Sequence, residues 1–154
     1  MINILLTGGA GFIGSSMAER LLENPDIYLV IVDDLSTGDL NKLPEKYQDR
    51  YKFIKCNVND YRDISEVFFS FHFDYVFHYA AMVGVQRTLK NPVMVLHDLH
   101  SIENILNLAK NSNVKRVFFS SSSEVYGEPV EFPQNEKTTP LNSKLPYAIE
   151  KNVS

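Results

Sequence analysis

Apolar residues along this chain fall into short runs bounded by turns, separated by stretches with helical spacing. Ile2 to Thr7, Tyr28 to Val32, Tyr51 to Cys56, Tyr75 to Tyr79 and Val117 to Ser121 are the short runs. Such runs fit strands buried on both faces. Ile13 to Leu22 predicts a helix with Ile13, Met17, Leu21 and Leu22 inward. Tyr61 to Phe71 predicts a second, with Ile64, Val67, Phe68 and Phe71 inward. Pro92 to Lys110 predicts a long third, with Val95, Leu99, Ile102, Leu106 and Ala109 on one face. Strands alternating with helices give an α/β fold, a doubly wound parallel sheet with right-handed crossovers. Glu128 to Lys144, rich in Pro, Thr, Asn and Glu, reads as a loop after the fifth strand. It falls at the carboxyl edge of the sheet, where open α/β sheets bind ligands.

Bulk numbers narrow the partners. The 154 residues suit one domain, with 44% hydrophobic and 22% charged residues, enough apolar surface for a core. A net charge of -4 and the absence of a Lys/Arg run argue against nucleic acid and anionic membrane. The lone cysteine, Cys56, allows no internal disulfide and no thiolate cluster, and fits a reducing cytoplasm. No apolar stretch approaches the roughly 20 residues of a bilayer span. His97 and His100, three apart on a helix, read with His72 as surface residues, and His78 as part of the strand-four edge; no metal is implied.

The first strand runs into Gly8-x-x-Gly11-x-x-Gly14, and a helix follows. Glycine at such a turn permits a positive φ and close backbone approach to a pyrophosphate. The helix N-terminus offers free N–H groups and a positive dipole end to that anion. Asp33 closes the second strand about twenty residues later, as the ribose-binding fingerprint requires. A carboxylate there accepts ribose hydroxyls and repels a 2′-phosphate. The expected cofactor is NAD rather than NADP, on a Rossmann domain spanning residues 1–154.

Tyr147 and Lys151 form Y-x-x-x-K, which a helix places on one face. A nearby ammonium stabilises a tyrosinate and lowers the phenol toward neutrality, which suits a general base for a hydroxyl proton. Ser120 to Ser123 close the fifth strand at the ligand edge, and Ser122 is the expected partner of Tyr147. The same serines also fit a strand end capping a turn.

With these motifs go Asp33-Asp34-Leu35-Ser36-Thr37-Gly38, His78-Tyr79-Ala80-Ala81 and Ser122-Ser123-Glu124-Val125-Tyr126-Gly127. In order and spacing the chain resembles the extended short-chain dehydrogenase/reductases, in particular the NAD-dependent epimerase/dehydratase group acting on nucleotide sugars. The resemblance spans the whole chain and is more specific for the superfamily than for the substrate. It implies tightly held NAD, a 4-keto-sugar intermediate, Tyr147 as base, Lys151 lowering its pKa and holding the nicotinamide ribose, and Ser122 on the reacting oxygen. It further implies pyrophosphate contacts at Phe12 and Ile13, adenosine ribose at Asp33 with Asp34, Ser36, Thr37 and Gly38 nearby, adenine at Asn57 and Val58, and a close-packed turn at Ala80 and Ala81.

Departures bear on the reaction. Asn57 stands where the family has Asp, and an amide still pairs with adenine. Asp98 stands where an Asn lies beside the cofactor; it either points away, or belongs to a solvated helix face shared with His97. Ser123 replaces the Asp that 4,6-dehydratases use to expel water. Glu124 is either part of the chemistry or a turn cap. The resemblance implies a UDP-sugar 4-epimerase that forms homodimers, with a nucleotide-sugar glucuronate decarboxylase as one alternative and a non-catalytic NAD-binding module as another. The chain stops three residues after Lys151. Family members are longer and add a C-terminal substrate domain, so the expectation is a fragment that binds NAD weakly and turns over no sugar alone.

Overall fold

A computed structural model describes residues 1–82 and 90–153. Five strands, β1 (Ile2–Thr7), β2 (Ile27–Asp33), β3 (Tyr51–Lys55), β4 (Tyr75–His78) and β5 (Arg116–Phe119), form one parallel sheet in the order β3-β2-β1-β4-β5. Among the described residues the α-helices are α1 (Phe12–Leu22), α2 (Tyr61–Ser70), α3 (Pro92–Asn111) and α4 (Pro146–Val153). The strand order reverses beside β1, which is the switch point where such sheets bind ligands.

Two compact units divide the described residues. The first is Met1–Ala80 with His100–Phe119, and the second is drawn from Ala81–Leu99 with Ser120–Ser154. The whole sheet lies in the first. Alternation along each strand feeds two cores. Leu5, Val30, Val32 and Val76 pack with Ile64, Val67 and Phe68 of α2 and Ile105 and Leu108 of α3. Ile4, Leu6, Leu29 and Ile31 pack on the opposite face with Ala18 and Leu22 of α1. Both faces are thereby covered, as a parallel sheet demands.

Two helix faces differ from the sequence expectation. Ile13 is 65% exposed, while Gly14, Ser15, Ala18 and Leu22 are buried. α1 lies so close to the sheet that small residues carry its inner face. On α3, Leu106 is exposed, and the buried stripe runs through Val95, Asp98, Ser101, Ile102, Ile105, Leu108 and Ala109. Two polar residues sit within that stripe, which hides its period from a hydrophobicity count. His78, expected at the edge of the fourth strand, ends β4 and is 2% exposed. Phe71, expected inward, packs half-buried against the α2 core.

Parallel register brings the strand ends into line. Thr7 pairs with Val32 on one side and His78 on the other, and Asp33 pairs with Lys55. The turns that follow, at Gly8, Asp34, Cys56 and Tyr79, therefore leave one edge of the sheet.

Candidate active site

The first unit carries the glycine turn. Gly8 has φ +69°, and its N–H donates to Val32 O at 2.8 Å. A Cβ on Gly8 would lie 2.7 Å from Ala80 N, and one on Gly14 would lie 2.2 Å from Gly8 O. Both positions are closed to any side chain, and the turn is pressed between α1 and the turn after β4. Gly11 caps α1 without a side-chain hydrogen bond. The first-turn N–H groups have no intrahelical acceptor by construction and carry the positive end of the helix dipole. Phe12 is 81% exposed, so what it and Ile13 present at the turn is backbone N–H.

Asp33 is buried at the end of β2. Its Oδ2 accepts Ala10 N–H at 3.0 Å and its Oδ1 accepts Leu35 N–H at 2.9 Å. Each carboxylate oxygen keeps a second lone pair for a further donor. Asp34 Oδ1 accepts Ser36 N–H at 2.8 Å, which curls the loop holding Thr37. Gly38 lies against the Asp33 carboxylate, where a Cβ would sit 2.5 Å from Oδ1. Asn57 is exposed and Val58 buried at the end of β3. Asn57 Oδ1 accepts Asn59 N–H at 3.0 Å. Ala80 N–H donates to Thr7 Oγ1 at 3.1 Å, which locks the turn after β4 to the end of β1. A bare helix N-terminus, a cradle that a Cβ would fill and a fixed carboxylate suit a dinucleotide: pyrophosphate at the first two, ribose at the third.

The second unit carries Ala81, Ser122, Glu124, Tyr147 and Lys151. Ser122 is extended, and its Oγ accepts Glu124 N–H at 3.2 Å, opening a 3-10 turn over Ser123–Tyr126. Gly127, at φ 63°, ends it. Pro146 opens α4, where its missing N–H costs nothing. One turn on, Ser121 Oγ donates to Lys151 O at 3.4 Å. The Ser122 hydroxyl hydrogen-bonds the half-buried Tyr147 phenol. Ser121, Ser122, Tyr126, Glu136, Lys151 and Asn152 line a cavity of about 510 Å³.

The electrostatics of Tyr147 differ from expectation. Burial pushes its phenol above the ordinary value; the Ser122 hydrogen bond pulls it down, and Glu150, Glu124 and Asp98 push it up. Lys151 Nζ stands 5.7 Å from the ring centroid and pairs with Glu150 instead, at 3.4 Å to Oε1 and 3.3 Å to Oε2. The net direction for the phenol is upward, where the sequence predicted a lowering toward neutrality. Asp98 is buried, 7% exposed, and accepts the Met82 N–H, while its neighbour His97 is exposed. The shared solvated face is excluded. Sequence reasoning passed over Glu150; its spacing of three from Tyr147 was the available signal.

Among the described residues, no group of three His, Cys, Asp and Glu could hold a metal ion, and no helix is long and apolar enough to cross a membrane.

The model of the family described as GDP-mannose 4,6 dehydratase matches residues 5–154. The chain belongs to the extended short-chain dehydrogenase/reductases of the epimerase/dehydratase type. Within the family, the UDP-glucose 4-epimerase of Mycolicibacterium smegmatis is 33% identical over 150 residues, covering 96% of this chain and 47% of that protein. UDP-arabinose 4-epimerase 1 of Arabidopsis thaliana is 34% identical over 160 residues, covering 99% of this chain and 37% of that one. A crystal structure of UDP-glucose 4-epimerase from Bifidobacterium longum in complex with NAD+ and UDP superposes with a TM-score of 0.88 at 31% identity, covering 98% of this chain and 46% of that chain. The chain thus spans half or less of the length of these family members.

Proposed function

We propose that the protein is an NAD-dependent UDP-sugar 4-epimerase. The observation that carries this is the Ser122 hydroxyl on the Tyr147 phenol, with Lys151 one turn further along α4. It gains support from relatives named as UDP-sugar 4-epimerases and from a neighbour holding NAD+ and UDP.

Gly8, Gly11 and Gly14 with the N–H groups of Phe12 and Ile13 would hold the NAD pyrophosphate. Asp33 takes the adenosine ribose, supported by Asp34, Ser36, Thr37 and Gly38; Asn57 and Val58 take the adenine, and Ala80 and Ala81 flank the cofactor. When bound, NAD would supply reversible hydride transfer at C4 of the sugar. Tyr147 Oη takes the C4 hydroxyl proton, Ser122 donates to that oxygen, and Lys151 orients the nicotinamide ribose. Glu124, exposed beside the turn, serves as a nearby charge. Loss of the C4 hydroxyl proton to Tyr147 together with hydride transfer would give a 4-keto sugar, and hydride delivery to the other face of that carbonyl would invert C4. Ser123, without a carboxyl group, supplies no acid to expel water.

Exposed Val93 and Leu96 on α3 fit a second copy, and a homodimer follows from this reading. The net charge of -4 speaks against nucleic acid. A free, buried Cys56 fits a cytoplasmic location.

The test is to incubate the protein, expressed over its whole reading frame, with UDP-glucose, UDP-arabinose and UDP-glucuronate. C4 inversion of a UDP-sugar supports the proposal. Loss of carbon dioxide from UDP-glucuronate, or no conversion despite bound NAD, contradicts it.

A further inference from the structure

One charged group beside Tyr147 has no part in the chemistry above. Glu150 is 1% exposed as a side chain and Lys151 3%. Adjacent helix residues project in different directions and do not ordinarily face each other. Here both side chains are drawn inward and meet, Nζ lying within 3.4 Å of both carboxylate oxygens. An exposed pair would be incidental. A buried one carries a desolvation cost that hydrophobic residues would avoid, so its presence beside Tyr147 calls for a role.

We propose that Glu150 is a positioning residue: its ion pair with Lys151 withholds the ammonium from the Tyr147 phenol and sets the pH at which Tyr147 becomes a base. The inference rests on Tyr147 being the proton acceptor. With the carboxylate on the ammonium, the pair presents little net charge to the ring. Lys151 keeps its distance of 5.7 Å from the centroid, within reach of the π face but directed to Glu150. The other groups facing Tyr147 are Ser122 and Glu124 from the turn after β5 and Asp98 from α3. None of these carries a positive charge. Among the described residues Lys151 is the cation of this cluster, and Glu150 decides how much of it Tyr147 feels.

The test is a carbon NMR titration of the whole protein labelled at tyrosine Cζ, with the Tyr147 signal assigned through Tyr147→Phe. Glu150→Gln should lower the Tyr147 midpoint by about one unit, as expected for removing one charge at close range. Glu150→Asp, which keeps the charge, should restore it. The acid limb of kcat should move to lower pH with the midpoint. An unmoved or raised midpoint in folded Glu150→Gln overturns the proposal. Should that variant fail to fold, the double replacement Glu150→Gln with Lys151→Met removes the pair together. A midpoint within about half a unit of wild type supports mutual cancellation; a clear rise shows that Lys151 acts on Tyr147 regardless of Glu150. Neither result touches the assignment of Tyr147, which turnover of Tyr147→Phe reads separately.

Discussion

Thr7 Oγ1 lies 2.7 Å from His78 Nδ1, in the buried heart of the sheet. Thr7 Oγ1 already accepts Tyr79 N–H at 3.2 Å and Ala80 N–H at 3.1 Å. Its two lone pairs are used, so its hydrogen points to Nδ1. The imidazole then carries its proton on Nε2 and donates to Ser101 Oγ at 3.0 Å. One neutral histidine ties the ends of β1 and β4 to α3, next to the turn that holds Gly8.

Replacing His78 with Leu keeps the volume and removes both bonds. The Thr7 hydroxyl loses its acceptor in a dry site, at a cost of about 1–3 kcal/mol. Urea unfolding should show that loss, and a double-mutant cycle with Ser101→Ala should show coupling. A loss below about 0.5 kcal/mol would mean that the network is incidental.

The glycines separate packing from binding. A Cβ at Gly14 meets Gly8 O at 2.2 Å and Gly9 Cα at 2.7 Å, whereas one at Gly11 meets only Gly8 O at 3.2 Å. Gly14→Ala should cost about 1–3 kcal/mol and abolish NAD binding. Gly11→Ala should leave the melting temperature nearly unchanged while weakening NAD in a calorimetric titration. Equal effects at both positions would contradict the geometry.

Acid sensitivity has a traceable source. Asp74 Oδ1 pairs with Lys115 Nζ at 2.7 Å and Oδ2 accepts Asn3 N–H at 2.9 Å. The Lys115 hydrogen bond, then that of Asn3, holds the Asp74 carboxyl below its ordinary value of 3.8. A depressed carboxyl stabilises the fold above its unfolded pKa, and this contribution fades as pH falls through the folded one. Asp74→Asn should therefore destabilise modestly at neutral pH, with the difference vanishing well below pH 3.8. The pair is largely exposed, so salt should shrink the effect. A penalty that persists at low pH would refute the linkage.

Cys56 reports opening. Burial first, then Asp63, Asp60 and Asp34, pushes its thiol up to about 12. Scarce thiolate and a side chain 3% exposed should make labelling by a disulfide reagent slow in the native protein and fast in urea. Rapid labelling of the folded protein would contradict this burial.

Strands were legible in the sequence because both faces of this sheet are covered, so β2 reads as an unbroken apolar run from Ile27 to Val32. The glycine turn and Asp33 were legible because their roles are local: the turn needs φ of +69° at Gly8, and only residue type and spacing specify it. Polar residues inside the core were not. His78, Ser101 and Asp98 are satisfied by partners 16 to 71 positions away, and hydrophobic periodicity assigns such residues to solvent. Spacing singled out Tyr147 and Lys151 as candidates, but it did not show their charge balance, because Glu150 pairs with its own neighbour across a direction that helix periodicity ignores.

The central claim is that Tyr147 moves the C4 proton while other residues hold NAD. The most direct measurement is UDP-glucose epimerisation by Tyr147→Phe, with bound NAD quantified in the same sample. A loss of at least about a hundredfold in kcat with NAD content equal to wild type is predicted. Turnover equal to wild type would contradict the account.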